Sequence, residues 1–156
     1  MKHFAGLINA NMPNNRQLGY IGVAGDLNPK GEYSPLFPDF DIVTVDADVK
    51  WSPDIVADIT DTKLPPNYFG AIVCVQVIEH IRNLWDLPRE LDRILCPSGF
   101  VIIDCPWNYP YHAEAPSFGD YWRVSKDGMR ALFGDLFEII DVRADHHNTS
   151  CLLLKR

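Results

Sequence analysis

Apolar positions are densest between Phe69 and Asp104. Ala71-Ile-Val-Cys-Val75 is an unbroken apolar run after Gly70, rich in β-branched residues, and predicts a strand buried on both faces. Polar groups return abruptly at Gln76-Val-Ile-Glu79-His80. Leu84, Leu87, Leu91, Ile94 and Leu95 then recur at helical spacing, and Pro88 fits the first turn with Asp86 or Leu87 as the cap. Cys96-Pro-Ser-Gly99 stops that helix, and Phe100-Val-Ile-Ile103 predicts a second buried strand. Two apolar strands joined by one amphipathic helix form a right-handed βαβ unit. The polar residues after both strands then lie at the carboxyl edge of one parallel sheet.

The remaining pattern extends this α/β reading in both directions. Residues 1–17 predict a short helix through Phe4, Leu7 and Ile8 and then a loop, a piece able to cover a ligand pocket. Gly19-Tyr-Ile-Gly-Val-Ala24 predicts the first strand, broken at Gly25-Asp26-Leu-Asn28-Pro29. Pro35 and Pro38 make Lys30–Phe40 a poor helix former, so the first crossover is abbreviated. Ile42-Val-Thr-Val45 is the second strand and ends in Asp46-Ala47-Asp48; Asp54–Ile59 is the third, after a connection too short for the usual crossover helix. Ser125 caps a helix carrying Met129, Leu132 and Phe133. Leu136–Val142 and Ser150–Leu154 are two strands close enough in sequence to form a hairpin.

Composition narrows the class. At 156 residues and 47% hydrophobic, the chain is expected to form one domain, residues 1–156, with enough core to fold alone. The absence of a long apolar run or a basic-then-apolar leader points to a cytoplasmic chain with no membrane partner. A net charge of −7 disfavours a nucleic-acid partner. Cys74, Cys96, Cys105 and Cys151 show no Cys-x-x-Cys spacing and are expected to be reduced, mostly core thiols. His146-His147 with Cys151 lacks a fourth ligand at useful spacing, so no metal is expected.

Phe69–His80 followed by Glu90-Leu-Asp-Arg-Ile-Leu-Cys-Pro-Ser-Gly99-Phe-Val-Ile-Ile103 resembles the fourth and fifth strands of class I S-adenosylmethionine-dependent methyltransferases, of the small-molecule type. The resemblance implies a Rossmann-like, mostly parallel sheet of seven strands in the order 3-2-1-4-5-7-6, helices on both faces and a C-terminal antiparallel hairpin. It also implies S-adenosylmethionine as cofactor. The first glycine motif is degenerate: Ala24, Asp26 and Asn28 stand at its three glycine positions, and Gly22 stands where the family usually has an acidic residue. Ala24, Gly25 and Asp26 are the candidates for that turn, with the Asp26 carboxylate meeting the cofactor's ammonium. An acidic residue after the second strand accepts bonds from both ribose hydroxyls, which selects Asp46, with Ala47 beside it. The resemblance sets Asp58 opposite the adenine amino group, Ile59 on the ring face, and Gln76 and His80 in the crevice near the methionine part.

Asp104–Arg123 is the most unusual stretch, with six aromatics besides His112, three prolines and almost no periodicity. Its Pro…His…Pro…Asp-Tyr-Trp-Arg order resembles the acceptor-lining segment of a subset of small-molecule methyltransferases. An aromatic wall around a few polar groups suits an organic acceptor. His112 is the candidate base, because an unperturbed imidazole titrates near working pH, and Tyr109 and Arg123 would position the acceptor. The expected reaction is methyl transfer to an O or N atom of a small organic molecule.

Two rivals stay open. One is a binding module on the same fold that has lost catalysis and docks to a protein partner, favoured by the degenerate turn. The other is a nicotinamide-dependent reductase, disfavoured because no Tyr-x-x-x-Lys pair occurs. The sequence also leaves a homodimer open.

Overall fold

The computed structural model describes residues 1–23, 31, 33–113 and 118–156. Ala24, Gly25 and Asp26, the candidates of the first turn, lie outside those residues. Seven strands form one sheet in the order β3-β2-β1-β4-β5-β7-β6. They are β1 (Gln17–Ile21), β2 (Asp41–Asp46), β3 (Ile55–Val56), β4 (Phe69–Val75), β5 (Leu95–Pro106), β6 (Phe137–Ala144) and β7 (Asn148–Lys155). The first five pair in parallel, and β7 inserts antiparallel between β5 and β6. This is the Rossmann-like order expected above, terminal hairpin included.

Alternation along the central strands divides the core in two. Ile72 and Cys74 of β4, Val101 and Ile103 of β5, and Cys151 and Leu153 of β7 pack on one face with α2 (Leu87–Ile94) and α3 (Lys126–Phe133). Ala71, Val73, Phe100, Ile102 and Leu152 pack on the other with Phe4, Ala5 and Ile8 of α1 (Lys2–Ala10) and with Phe37 and Phe40. A strand covered on both faces has no polar side to show, which is why β4 reads as a continuous apolar run. The second connection is abbreviated as expected, with a 3₁₀ turn at Val49–Trp51 in place of a crossover helix; of the first, the described residues are helical at 31 and 33 and then form a 3₁₀ turn at Ser34–Leu36, and residues 24–30 lie outside them.

Boundaries differ from expectation in three places. β1 ends at Ile21 because Gly22 turns to φ 84°, out of the extended region. β3 keeps only Ile55 and Val56: Asp54 instead accepts from Thr44 N–H and Oγ1–H at 2.8 and 2.7 Å, and Asp58 accepts from Thr60 N–H and Oγ1–H at 2.8 and 2.7 Å. β5 begins at Leu95, paired with Phe69, and the ladder resumes at Phe100 opposite Ala71, so Cys96–Gly99 bulges out of it with Ser98 at φ 59°. Helix α3 starts as expected, with Ser125 Oγ accepting from Gly128 N–H. Among the described residues, no helix is long and apolar enough to cross a membrane.

Candidate active site

A series of contacts joins the carboxyl ends of the parallel strands. Asp46 closes β2; its Oδ2 accepts from Val23 N–H at 2.7 Å, just past β1, and its Oδ1 accepts from Asp48 N–H at 2.8 Å. Its carbonyl accepts from Ala57 N–H at 2.9 Å, so this half-buried residue laces together the ends of β1, β2 and β3. A Cβ on Gly22 would come within 2.3 Å of Val77 Cγ2, which sets the end of β1 against the turn after β4. Gln76 then donates from Nε2 to Asp104 Oδ1 at 2.9 Å, joining the ends of β4 and β5.

Beyond Gln76 the chain tightens into the 3₁₀ turn Ile78–His80, which carries a buried carboxylate. Glu79 is 0% exposed, and neither carboxylate oxygen has a hydrogen-bond partner among the described residues. Burial pushes its carboxyl up to about 7; its own backbone N–H opposes the rise first, Asp120 and Asp104 add to it and Arg123 opposes it. The segment after β5 folds over this turn: Tyr121 and Trp122 N–H both donate to the Glu79 carbonyl, at 2.7 and 3.3 Å, and Trp122 Nε1–H donates to the Ile81 carbonyl at 2.7 Å.

Two imidazoles border Glu79. His80 Nε2 lies 3.6 Å and His112 Nε2 3.9 Å from Glu79 Oε1. The other nitrogen of each ring faces oxygen: His80 Nδ1 is 2.5 Å from the Gly119 carbonyl, and His112 Nδ1 is 3.2 Å from Asp120 Oδ2 and from the Pro110 carbonyl. Those acceptors call for the Nδ1–H tautomer on both rings. Burial lowers the His80 pKa, the Gly119 bond opposing it, so His80 is held neutral. The Phe118 and His112 rings flank His80 at 4.4 and 5.1 Å, and Tyr109 meets His112 edge-on at 5.4 Å.

Arg123 holds the segment in shape. Its guanidinium grips Asp120 through Nη1–Oδ1 at 2.5 Å and Nη2–Oδ2 at 2.7 Å, and also donates to the carbonyls of Tyr109, Pro110 and Trp122. The Asp120 side chain is wholly covered, and the Arg123 bonds hold its carboxyl well below the usual range. A fork with this many backbone acceptors organises the segment rather than offering free donors to an acceptor.

The residues singled out in the sequence therefore divide. Asp46, Gln76, His80, Tyr109, His112 and Arg123 belong to the linked edge and the segment folded over it. Ala47 and Asp58 are exposed beside it, and Asp58 is engaged with Thr60. Ile59 is 6% exposed and belongs to the core cluster, which leaves it little surface for a ring. His146 and His147 support the segment through backbone carbonyls, which accept from Asn108 Nδ2 and from Trp107 N–H. Cys151 is buried, its thiol pushed up to about 12 by burial, and is no ligand. Sequence reasoning set Glu79 in the crevice beside Gln76 and His80 without a chemical role, and gave none to Asp120. Position i to i+3 from Asp120 to Arg123 was the available signal for the second; nothing local signals the isolation of the first.

Comparison with known proteins now bears on this geometry. Residues 40–103 match the family model described as a methyltransferase domain. That match covers less than half of the chain and lies within a sheet of this strand order. The sheet has the class I methyltransferase fold, and residues 40–103 are similar to that family's domain. No curated protein matches the sequence. Among solved structures, a Burkholderia thailandensis 1,6-didemethyltoxoflavin N1-methyltransferase with S-adenosylhomocysteine bound aligns at TM-score 0.68 and 11% identity, over 98% of this chain and 76% of that one. The N-methyltransferase NodS of Bradyrhizobium japonicum, also in complex with S-adenosylhomocysteine, aligns at 0.67 and 10%, over 99% and 85%. The [4+2]-cyclase SpnF aligns at 0.72 and 12%, over 99% and 81%. Likeness at such identities shows the fold. Because a cyclase shares that fold, the reaction has to be argued from side chains.

Proposed function

We propose that this methyltransferase-fold chain moves the methyl group of S-adenosylmethionine to an O or N atom of a small organic acceptor. The observation that carries the reading is the Asp46 carboxylate, fixed at the end of β2 by one backbone bond on each oxygen. Each oxygen keeps a second lone pair for one of two vicinal ribose hydroxyls, so the residue fits the nucleoside of that cofactor. When bound, the cofactor supplies an electrophilic methyl on a sulfonium. Among this chain's groups, Asp46 orients the ribose, and Tyr109 and Phe118 wall the acceptor. His112 takes the acceptor's proton at Nε2 while Asp120 holds its Nδ1–H. Positioning in a closed cleft supplies on the order of 7 kcal/mol of the barrier.

The degenerate first turn and the reduced connection between β2 and β3 favour a second reading, a partner-docking module without catalysis. Calorimetry with S-adenosylhomocysteine separates the two. Micromolar binding that Asp46→Ala weakens at least tenfold supports the methyltransferase, and no heat at millimolar ligand supports the module.

A further inference from the structure

Glu79, His80 and His112 present one candidate donor atom each, and the three atoms lie within 4.8 Å of one another. Both His Nδ1 atoms face oxygen acceptors, so each Nε2 carries a lone pair, and Glu79 Oε1 faces them at 3.6 and 3.9 Å without a hydrogen-bond donor of its own among the described residues. Three acceptors gathered around a covered point repel one another unless a proton or a metal ion stands between them. We propose that Glu79 Oε1, His80 Nε2 and His112 Nε2 are the protein ligands of a divalent transition-metal ion.

Four features support this beyond the cluster itself. The donor set, two imidazoles and one carboxylate, suits zinc and its first-row neighbours and leaves at least one position open. The spacing is near what such an ion needs: donors about 2.1 Å from a tetrahedral centre stand ~3.4 Å apart, so the His80–Glu79 edge already fits and the His112 edges must close by a small ring rotation. Each imidazole is held from behind, His80 by the Gly119 carbonyl and His112 by the Asp120 carboxylate, which is how metal-bound histidines are fixed in tautomer and direction. The nearest competing cation, Arg123, is already matched by both oxygens of Asp120. The His112 side chain is 30% exposed and gives the ion its entry.

This departs from the metal-free expectation drawn from the sequence, which searched for ligands around His146 and Cys151. It also changes the role of His112. With the ion seated, Nε2 would be a ligand, and the metal would lower the pKa of an acceptor hydroxyl or amine at the open position, whose proton would pass to bulk water. That last consequence rests on the methyl-transfer reading, whereas the site itself does not.

The test is therefore read on the metal alone. The full chain, stripped with a chelator and without cofactor, is titrated with Zn²⁺ against a competing indicator, and with Co²⁺ by visible absorption. The expected result is one equivalent of tight binding and the absorption of a four- or five-coordinate Co²⁺ site. Glu79→Gln, His80→Ala and His112→Ala should each weaken Zn²⁺ at least tenfold, with His147→Ala unchanged. Asp120→Asn should weaken it while preserving stoichiometry. Thermal melting establishes that each variant is folded, and His112→Ala, the most exposed of the three, carries the test if a buried variant fails. No stoichiometric binding, or binding that His147→Ala abolishes and His112→Ala leaves intact, overturns the proposal.

Discussion

Gln76 binds Asp104 twice: its backbone N–H donates to the Asp104 carbonyl at 2.8 Å and its side-chain amide to Oδ1 at 2.9 Å. Gln76 does so at φ 55°, in the left-handed region. Losing the side-chain bond costs about 1 kcal/mol, and a β-branched residue at that φ costs ~1–2 kcal/mol more. Urea unfolding should therefore rank Gln76→Val well below Gln76→Ala. Gln76→Gly should fall within about 0.5 kcal/mol of the parent, since relief at φ offsets the lost bond. Equal midpoints for Val and Gly would show that the turn does not hold this backbone.

Gly22 occupies the position where the family usually carries an acidic residue, so Gly22→Asp is the natural restoration. The structure forbids it: φ is 84° and a Cβ would strike Val77 Cγ2 at 2.3 Å. Strain and overpacking together should remove about 2–3 kcal/mol, seen as a lower urea midpoint at unchanged slope. Pairing it with Val77→Ala should recover part of the loss.

Glu90 ties the loop before β4 to α2. Its Oε1 accepts from Thr62 N–H and Oγ1–H at 2.8 and 2.5 Å, and Arg93 grips both oxygens at 2.7 and 2.8 Å. The Arg93 bonds foremost, and then Thr62, lower its carboxyl to about 2. A depressed carboxylate contributes stability that is present above its unfolded pKa and lost as pH falls through the folded one. With the half-exposed Arg93 discounted for screening, Glu90→Gln should cost about 2 kcal/mol at pH 7 and almost nothing near pH 2. Chemical denaturation at several pH values checks the convergence.

Glu79 has the opposite sign. Its carboxyl is raised to about 7, so the stability it contributes is complete below its unfolded pKa and disappears as pH climbs through about 7. The groups around it are Asp120 and Asp104, Arg123, His80 and His112, and the Cys74 and Cys105 thiols, both raised by burial. In metal-free protein, Glu79→Gln should match the parent near pH 5 and exceed it by about 2 kcal/mol at pH 8. A constant difference across that range would mean that Glu79 is not neutral when buried.

His112→Ala tests whether His112 takes part in the reaction at all. Under the methyl-transfer reading, kcat should fall on the order of a hundredfold or more while affinity for S-adenosylhomocysteine stays within a factor of about three. Equal loss of both would remove His112 from the reaction.

How far local pattern reaches is clear from β4 and Glu79, which lie four residues apart at nearest approach. Residues 71–75 declare their own burial because both faces of the strand are covered, and the helix and hairpin that follow repeat that logic. Strand order and the terminal hairpin were legible for this reason, with the resemblance supplying the order. Glu79 sits in a polar cluster that the pattern places at the crevice after β4, with nothing local to show that it is covered. The segment around Tyr121 and Trp122, some forty residues on, bonds to its carbonyl and covers the turn that carries it. The bulge at Ser98 and the shortening of β3 are likewise set by partners distant in sequence, Phe69 and Thr44.

The insertion of β7 between β5 and β6 bears on how the chain is made. Trp107 and Asn108, at the root of the segment over Glu79, bond to the His147 carbonyl at 2.8 and 3.1 Å, in the link leading into β7. A domain folds as a unit, so while only the residues of β1 to β5 have left the ribosome the cover over Glu79 still lacks its anchor. The nascent protein thus carries an open, unfinished cleft until its closing strand emerges. Any quality control that senses exposed aromatic surface would act during that interval.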